Sequence, residues 1–282
     1  MQTIRRLEAL RPAIEALREG GRRVALVPTM GALHEGHMAL MAAARHRAER
    51  VVASIFVNPL QFGPSEDFSQ YPRREAKDAS MLAEAGVDLL WMPGVEEMYR
   101  EGAATTVSVA GVSEPFDGAH RPGHFDGVAT VVTKLFNQVR PDVALFGEKD
   151  WQQLQVIRRM TADLDMGIEI VGVPTQRADD GLALSSRNAY LAPDDRMRAV
   201  TLPRALGEAA RTIERGGDAA QAVADARRLL TAAGFAVDYL ALADSESLGA
   251  PVAGRPRRLL VAAKLGATRL IDNLAVEPAQ GN

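Results

Sequence analysis

Two histidines separated by a glutamate and a glycine, His34-Glu-Gly-His37, follow the apolar run Val24-Ala-Leu-Val and a break at Pro28. The pattern predicts a strand over 24–27, a tight turn, and a helix beginning near Gly36. The first backbone N–H groups of a helix lack partners and carry the positive end of its dipole, so a phosphate fits there. At this spacing both imidazoles lie near one face of the first turn, where each can donate to a phosphate oxygen and stabilise charge developing on it. Gly36 lets the backbone approach closely. On the tetrapeptide alone, a solvent-exposed histidine pair fits equally well. Zinc fits less well, because the pattern H-E-x-x-H needs the second histidine one residue later.

Three more polar clusters follow predicted strands. Val51–Val57 is a nearly unbroken apolar, β-rich run, the pattern of a parallel strand covered on both faces. It ends in Asn58-Pro-Leu-Gln-Phe-Gly63, which puts Asn58 and Gln61 where open α/β sheets bind ligands; a turn punctuated by Asn-Pro has the same sequence. A strand over 143–146 ends in Gly147-Glu-Lys-Asp-Trp-Gln-Gln153, where Lys149 can hold a phosphate and Asp150 can cap the next helix. After a strand over 168–173, Ser185-Ser186-Arg187 offers two hydroxyls and a guanidinium, a set suited to a polyphosphate clamp. Singly, that tripeptide also fits a solvated turn. The Gly111–Gly127 segment, with Arg121-Pro-Gly-His124, is too long for a plain connector and reads as a lid, a binding loop or a flexible surface loop.

The elements that must position these clusters alternate strand and helix. Leu7, Leu10, Ile14 and Leu17 recur at helical spacing, with Pro12 expected near a helix start and Gly20-Gly21 at the end. Further strands are expected over 87–91 and 105–109, and a helix over 127–139. This alternation predicts an α/β fold, a doubly wound parallel sheet of Rossmann-like type over residues 1–176. Beyond Pro193 come helices over 194–215, with a break near Pro203, and over 219–233. Three β-like runs then follow at 238–242, 258–263 and 268–274. They predict a smaller α+β domain over 177–282, with an antiparallel sheet, lying as a lid over the active site.

Composition narrows the function. The 282 residues carry 33 Lys and Arg against 36 Asp and Glu, a net charge of -3 with the signs interspersed, so nucleic-acid binding has no support. The absence of cysteine excludes disulfides, thiol nucleophiles and thiolate metal sites. Charges near the N-terminus interrupt any signal-peptide core, and no apolar run approaches the ~20 residues of a membrane span. A soluble cytoplasmic protein is expected. No G-x-G-x-x-G follows the first strand and no G-x-x-x-x-G-K-[ST] occurs, so dinucleotide redox and P-loop chemistry lack their signatures. What remains is a phosphate crevice without an evident nucleophile or base, which suits nucleotidyl transfer by positioning and charge stabilisation.

Taken together, Pro28-Thr-Met-Gly-Ala-Leu-His-Glu-Gly-His37, Phe56-Val-Asn-Pro-Leu-Gln-Phe62, Phe146-Gly-Glu-Lys-Asp150 with Gln152-Gln153, and Leu184-Ser-Ser-Arg-Asn188 resemble the pantothenate synthetase (pantoate–β-alanine ligase) family, of the HIGH-motif nucleotidyltransferase group. The resemblance implies that pantoate attacks the α-phosphorus of ATP, with Mg2+, and that β-alanine then displaces AMP from pantoyl adenylate to give pantothenate. It implies that His34 and His37 contact the phosphates and stabilise the transition state, together with Lys149, Ser185, Ser186 and Arg187. Met30, Gly36, Gly147, Asp150, Val173 and Leu184 would, by the same resemblance, complete the ATP site. Gln61 and Gln153 would hydrogen-bond pantoate with Asn58 beside them, and Asp78 would lie near the magnesium. Arg121 and His124 would fall in a loop beside a homodimer interface, and Tyr71 in a flexible flap. Leu60 and Leu184, where the family often has Met, and Trp151, where Tyr is usual, depart from the pattern but keep apolar volume. Two rivals stay open: a cytidylyltransferase acting on a phosphorylated alcohol, and a nucleotide-binding module without catalysis.

Overall fold

A computed structural model of the chain describes residues 1–64 and 66–277. Six strands, β1 (Gln2–Ile4), β2 (Val24–Thr29), β3 (Arg50–Ile55), β4 (Leu89–Trp91), β5 (Val143–Gly147) and β6 (Glu169–Val173), form one sheet in the order 1-4-3-2-5-6. Every pairing in it is parallel, as expected from the alternation of strands and helices. The helices of this half are α1 (Leu7–Arg18), α2 (Glu35–Arg45), α3 (Glu75–Glu84), the short α4 (Val95–Met98) and α5 (Asp117–His120), α6 (His124–Val139) and α7 (Trp151–Asp163). Pleating sends alternate strand residues to opposite faces. Val24, Leu26, Val52 and Phe146 bury against α1, α6 and α7, whereas Ala25, Val27, Val51 and Leu145 bury against α2 and α3.

The crevice comes from the topology itself. β2 pairs with β3 as far as Thr29–Ile55, but with β5 only at Ala25–Val143 and Leu26–Ala144. Beyond Leu26 the two strands diverge, and they do so where the strand order changes direction, the place where ligands bind in such sheets. Pro28 fits this gap. Val24 accepts from Asp142 on the β5 side and Thr29 accepts from Phe56 on the β3 side, so by alternation the Pro28 nitrogen points toward β5. No ladder bond exists there to lose, which resolves the presence of proline in a central strand.

The second half contains α8 (Pro193–Ala199), α9 (Thr201–Glu214) and α10 (Ala219–Ala232), followed by β7 (Ala236–Asp244), β8 (Arg257–Leu265) and β9 (Thr268–Val276) in an antiparallel sheet ordered 7-8-9. Leu202, Leu206, Ile213 and Leu230 pack with Leu259 and Val261 in a separate core. No helix among the described residues is long and apolar enough to cross a membrane.

Several elements differ from the sequence expectation. Thr105–Val109 is not a strand; the Val107 N–H donates to the Thr130 hydroxyl instead of to a ladder. β1 was not anticipated, being too short to show a period. Helix α1 runs through Pro12, held by the burial of Leu10 and Ile14 on either side. Helix α6 starts at His124 rather than Gly127. The break between α8 and α9 falls at Val200, leaving Pro203 in a first turn, where its missing N–H costs little.

Candidate active site

The turn after β2 folds the two histidines into a cap. His34 occupies the N-cap of α2, and its Nδ1 accepts from the Gly36 N–H at 3.1 Å. The His37 Nδ1 accepts from the His34 N–H at 3.3 Å, the reciprocal half of a capping box built from imidazoles. Because each Nδ1 is an acceptor, each neutral ring carries its proton on Nε2. Gly36 is required for space: a Cβ there would lie 2.9 Å from His34 Cε1. Burial, reinforced by the Lys149 ammonium, pushes His34 down to about 4. Burial, then His34 and Lys149, push His37 down to about 3. At neutral pH the pair therefore consists of uncharged Nε2–H donors, with ring centroids 4.2 Å apart.

The cavity at the divergence of β2 and β5 is lined by Met30, His34, Gly36 and His37 from the first turn, and by Gly147, Lys149, Asp150 and Gln153 around the start of α7. Val173, Leu184, Ser185, Ser186 and Arg187 line it from beyond β6, and Gln61 from the turn after β3. Four sequence clusters, spread over more than a hundred residues of chain, thus face one space. Its floor is apolar, formed by Phe56, Val128, Val131, Val132 and Leu135, which periodicity alone marked only as core. Thr175 and Gln176 also line it, and nothing in their local sequence sets them apart from an ordinary crossover loop. The Lys149 ammonium has one ion-pair partner among the described residues, the Asp150 carboxylate at 3.9 Å. Asp150 occupies the N-cap position of α7 but its side chain makes no capping bond, so the cap expected for it is not formed.

Two of the expected site residues stand behind the cavity wall. Asn58 is 1% exposed; its Nδ2 donates to the Gln61 Oε1 and to the Gly127 carbonyl, and its Oδ1 accepts from the Tyr99 hydroxyl and the Leu60 N–H. It orients Gln61, whose Nε2 meets the Met30 sulfur at 2.9 Å. Asp78 is also 1% exposed, and its two oxygens accept from the backbone N–H groups of Ala32 and Leu33 at 2.8 and 3.0 Å. Those bonds fix the turn that presents His34. Asp78, which the resemblance sets near the magnesium, is not among the residues that line the cavity. No group of three or more His, Cys, Asp or Glu suited to a metal occurs among the described residues.

The segment after β3 closes over the opening. Tyr71 lines the cavity, and its hydroxyl lies 3.3 Å from the Ser186 hydroxyl. Asp67 forms a two-point contact with Arg187 at 2.9 and 3.0 Å, and Glu66 another with Arg121 at 2.7 Å for both bonds. His124 is buried, its Nδ1 within 2.8 Å of the Gln61 carbonyl and its Nε2 within 3.0 Å of Arg121. Burial, then Arg121, hold it down to about 4. Arg121 and His124 therefore brace the Gln61 wall, and the 111–127 segment lies behind it and supplies no lining residue. Of the part beyond residue 176, Leu184–Arg187 line the cavity. Leu60 is half-exposed and outside the cavity, Trp151 stacks on Arg258 behind it, and among the three departures Leu184 alone lines it.

A family model of pantoate-beta-alanine ligases matches residues 2–275. The chain belongs to that family. It is 66% identical over 282 residues to pantothenate synthetase of Rhizorhabdus wittichii, covering 99% of this chain and 100% of that protein. It is 59% identical over 285 residues to that of Novosphingobium aromaticivorans, with 99% and 100% covered. The crystal structure of pantothenate synthetase from Thermus thermophilus superposes with a TM-score of 0.92 at 52% identity, over 99% of this chain and 100% of that one. A pantoate-beta-alanine ligase from Francisella tularensis, crystallised with β-γ ATP and β-alanine, gives 0.83 at 30% identity, over 98% and 97%.

Proposed function

We propose that the protein is an ATP-dependent ligase that joins pantoate to β-alanine through a pantoyl adenylate, releasing AMP and pyrophosphate and forming pantothenate, a coenzyme A precursor. The observation that carries this reading is the convergence of two neutral imidazole donors, Lys149 and Arg187 on a cavity whose floor is apolar and whose polar rim holds Gln61 and Gln153. Pantoate has a gem-dimethyl carbon between its two hydroxyl-bearing carbons, which suits such a floor. Gln61 and Gln153 hydrogen-bond its polar groups, and Asn58 keeps Gln61 in place.

In the first step a pantoate carboxylate oxygen attacks the α-phosphorus and pyrophosphate leaves. His34 and His37 donate through Nε2–H to phosphate oxygens, Lys149 and Arg187 balance the growing charge, and the Ser185 and Ser186 hydroxyls hold the leaving phosphates. In the second, the neutral amine of β-alanine attacks the acyl carbon and AMP leaves. Both histidines keep Nδ1 in the cap, so neither takes the amine proton; solvent or the departing phosphate does. Magnesium belongs with the triphosphate. Mg2+ commonly uses one or two carboxylates with substrate phosphates, and Asp150, half-exposed at the cavity without a hydrogen-bond partner among the described residues, fits as its protein contact. Held there, the ion would supply neutralisation of phosphate charge.

In this reading the chain divides at 176/177, the first part binding ATP and pantoate, the second contributing Leu184–Arg187. The protein works in the cytoplasm as a homodimer, which sedimentation equilibrium would reveal as twice the chain mass. The direct test supplies ATP, magnesium, pantoate and β-alanine and follows AMP, pyrophosphate and pantothenate. Equal yields support the ligase, whereas failure to release AMP, or a strong preference for CTP, contradicts it.

A further inference from the structure

The small sheet lines no part of the cavity, yet one of its side chains grips the turn that carries Lys149. Asn273, on β9 and 4% exposed, donates from Nδ2 to the carbonyls of both Glu148 and Lys149 at 2.9 Å. Its Oδ1 accepts from Arg258 of β8, so both ends of the amide are engaged. Arg258 is itself buried; its guanidinium sits 3.3 Å from the centroid of the Trp151 ring at the start of α7 and 3.8 Å from the Glu148 carboxylate. On its other side, the Asn273 N–H donates to Asp272 Oδ1 at 2.7 Å, and Asp272 takes both arms of Arg177 at 2.7 and 2.8 Å. Arg177 directly follows the cavity residue Gln176. The buried Asn273 amide thus ties the Lys149 turn to the sheet, and its neighbour Asp272 ties the sheet to the crossover that leads to Ser185–Arg187.

We infer that Asn273 is a positioning residue for adenylate formation, fixing the backbone of Glu148 and Lys149 so that the Lys149 ammonium meets the triphosphate in one orientation. The inference rests on the proposed role of Lys149 as a phosphate ligand. Only a planar amide serves here, because two carbonyls need two N–H donors while Arg258 needs an acceptor. Aspartate keeps the volume and the Arg258 contact but turns the donor pair into an acceptor facing two carbonyls. Alanine removes all three bonds.

The test is a double-mutant cycle on single-turnover pantoyl adenylate formation at saturating ATP and pantoate, using wild type, Asn273→Asp, Lys149→Ala and the double variant. Asn273→Asp is expected to slow the step by about 10–100-fold, the scale of a misplaced reacting group. In the Lys149→Ala background it should slow it by less than about threefold, because a residue that acts through Lys149 has nothing left to position. Losses that multiply in the double variant, or a single variant within about twofold of wild type, overturn the assignment. Asn273→Ala is read in the same cycle, and loss of folded protein in both Asn273 variants would make the amide structural and also overturn it. A wild-type rate for Lys149→Ala alone refutes the Lys149 reading itself and the inference with it.

Discussion

His34 and His37 act as neutral donors because the cap claims each Nδ1 and burial beside Lys149 suppresses a second proton. Losing one such preorganised donor removes about a hundredfold or more in rate. His37→Ala should therefore cost that much in adenylate formation, measured as pyrophosphate release in a single turnover; a wild-type rate would take His37 out of the chemistry. The same burial sets the pH response of folding. His34, His37 and His124 gain a proton below 6.5 when unfolded but only near 4, 3 and 4 when folded. Between those limits the unfolded chain binds more protons, so stability falls as pH drops from 6.5 toward 4. Thermal melts from pH 7 to pH 5 should show a falling Tm, and His124→Gln should flatten part of the slope. At this scale the sequence displayed the donors that face the cavity but not the side chains that hold them. Asn58 and Asp78 occupy the right neighbourhood, and only coordinates reveal that their polar atoms are spent on Gln61 and on the turn before His34.

Between elements, one close approach joins α6 to the turn after β3. A Cβ on Gly127 would lie 2.3 Å from the Leu60 carbonyl and 2.7 Å from the Gln61 nitrogen, both backbone atoms. Gly127→Ala must push the turn outward and swing Gln61 away from the cavity, where the proposed function places pantoate. Its pantoate Kd should rise about tenfold or more while the ATP Kd stays within about threefold, a split expected when positioning of one substrate is lost; titration calorimetry with each substrate measures it. Asp78→Ala leaves two buried N–H groups without their charged acceptor, a loss of about 2–3 kcal/mol. Chemical denaturation should register that loss, and the magnesium dependence of turnover should keep its midpoint; rescue by added magnesium would restore Asp78 as a metal ligand. Strands with long apolar runs, β2, β3 and β5, were legible because burial on both faces leaves a continuous signal. Thr105–Val109 carries the same β-rich composition, yet a hydroxyl from α6 takes the Val107 N–H in place of a neighbouring strand. Helix α1 reads across Pro12 because tertiary burial of Leu10 and Ile14 outweighs the local penalty of proline.

Across the whole molecule, the cavity is a consequence of strand order: β2 and β5 must part where the sheet reverses direction, and all four polar clusters sit at that opening. Because each cluster follows a strand, the sequence could place them together without showing how the second half supports them. The ties from Asp67 to Arg187 and from Asn273 to the Lys149 turn join residues more than a hundred positions apart, and no local pattern encodes them. Closure over the cavity matters because an acyl adenylate hydrolyses in water. Asp67→Ala, which frees the segment after β3 from Arg187, should raise AMP formation without β-alanine relative to wild type; an unchanged leak would mean that this tie does not seal the site. The central claim is an adenylate intermediate held in that cavity. With ATP, magnesium and pantoate labelled with 18O in its carboxylate, and with β-alanine omitted, rapid quenching should recover pantoyl adenylate at about one per active site, the stoichiometry of a committed covalent intermediate. Addition of β-alanine should then give AMP carrying one labelled oxygen. Release of ADP with labelled inorganic phosphate, or AMP without the label, would contradict the account.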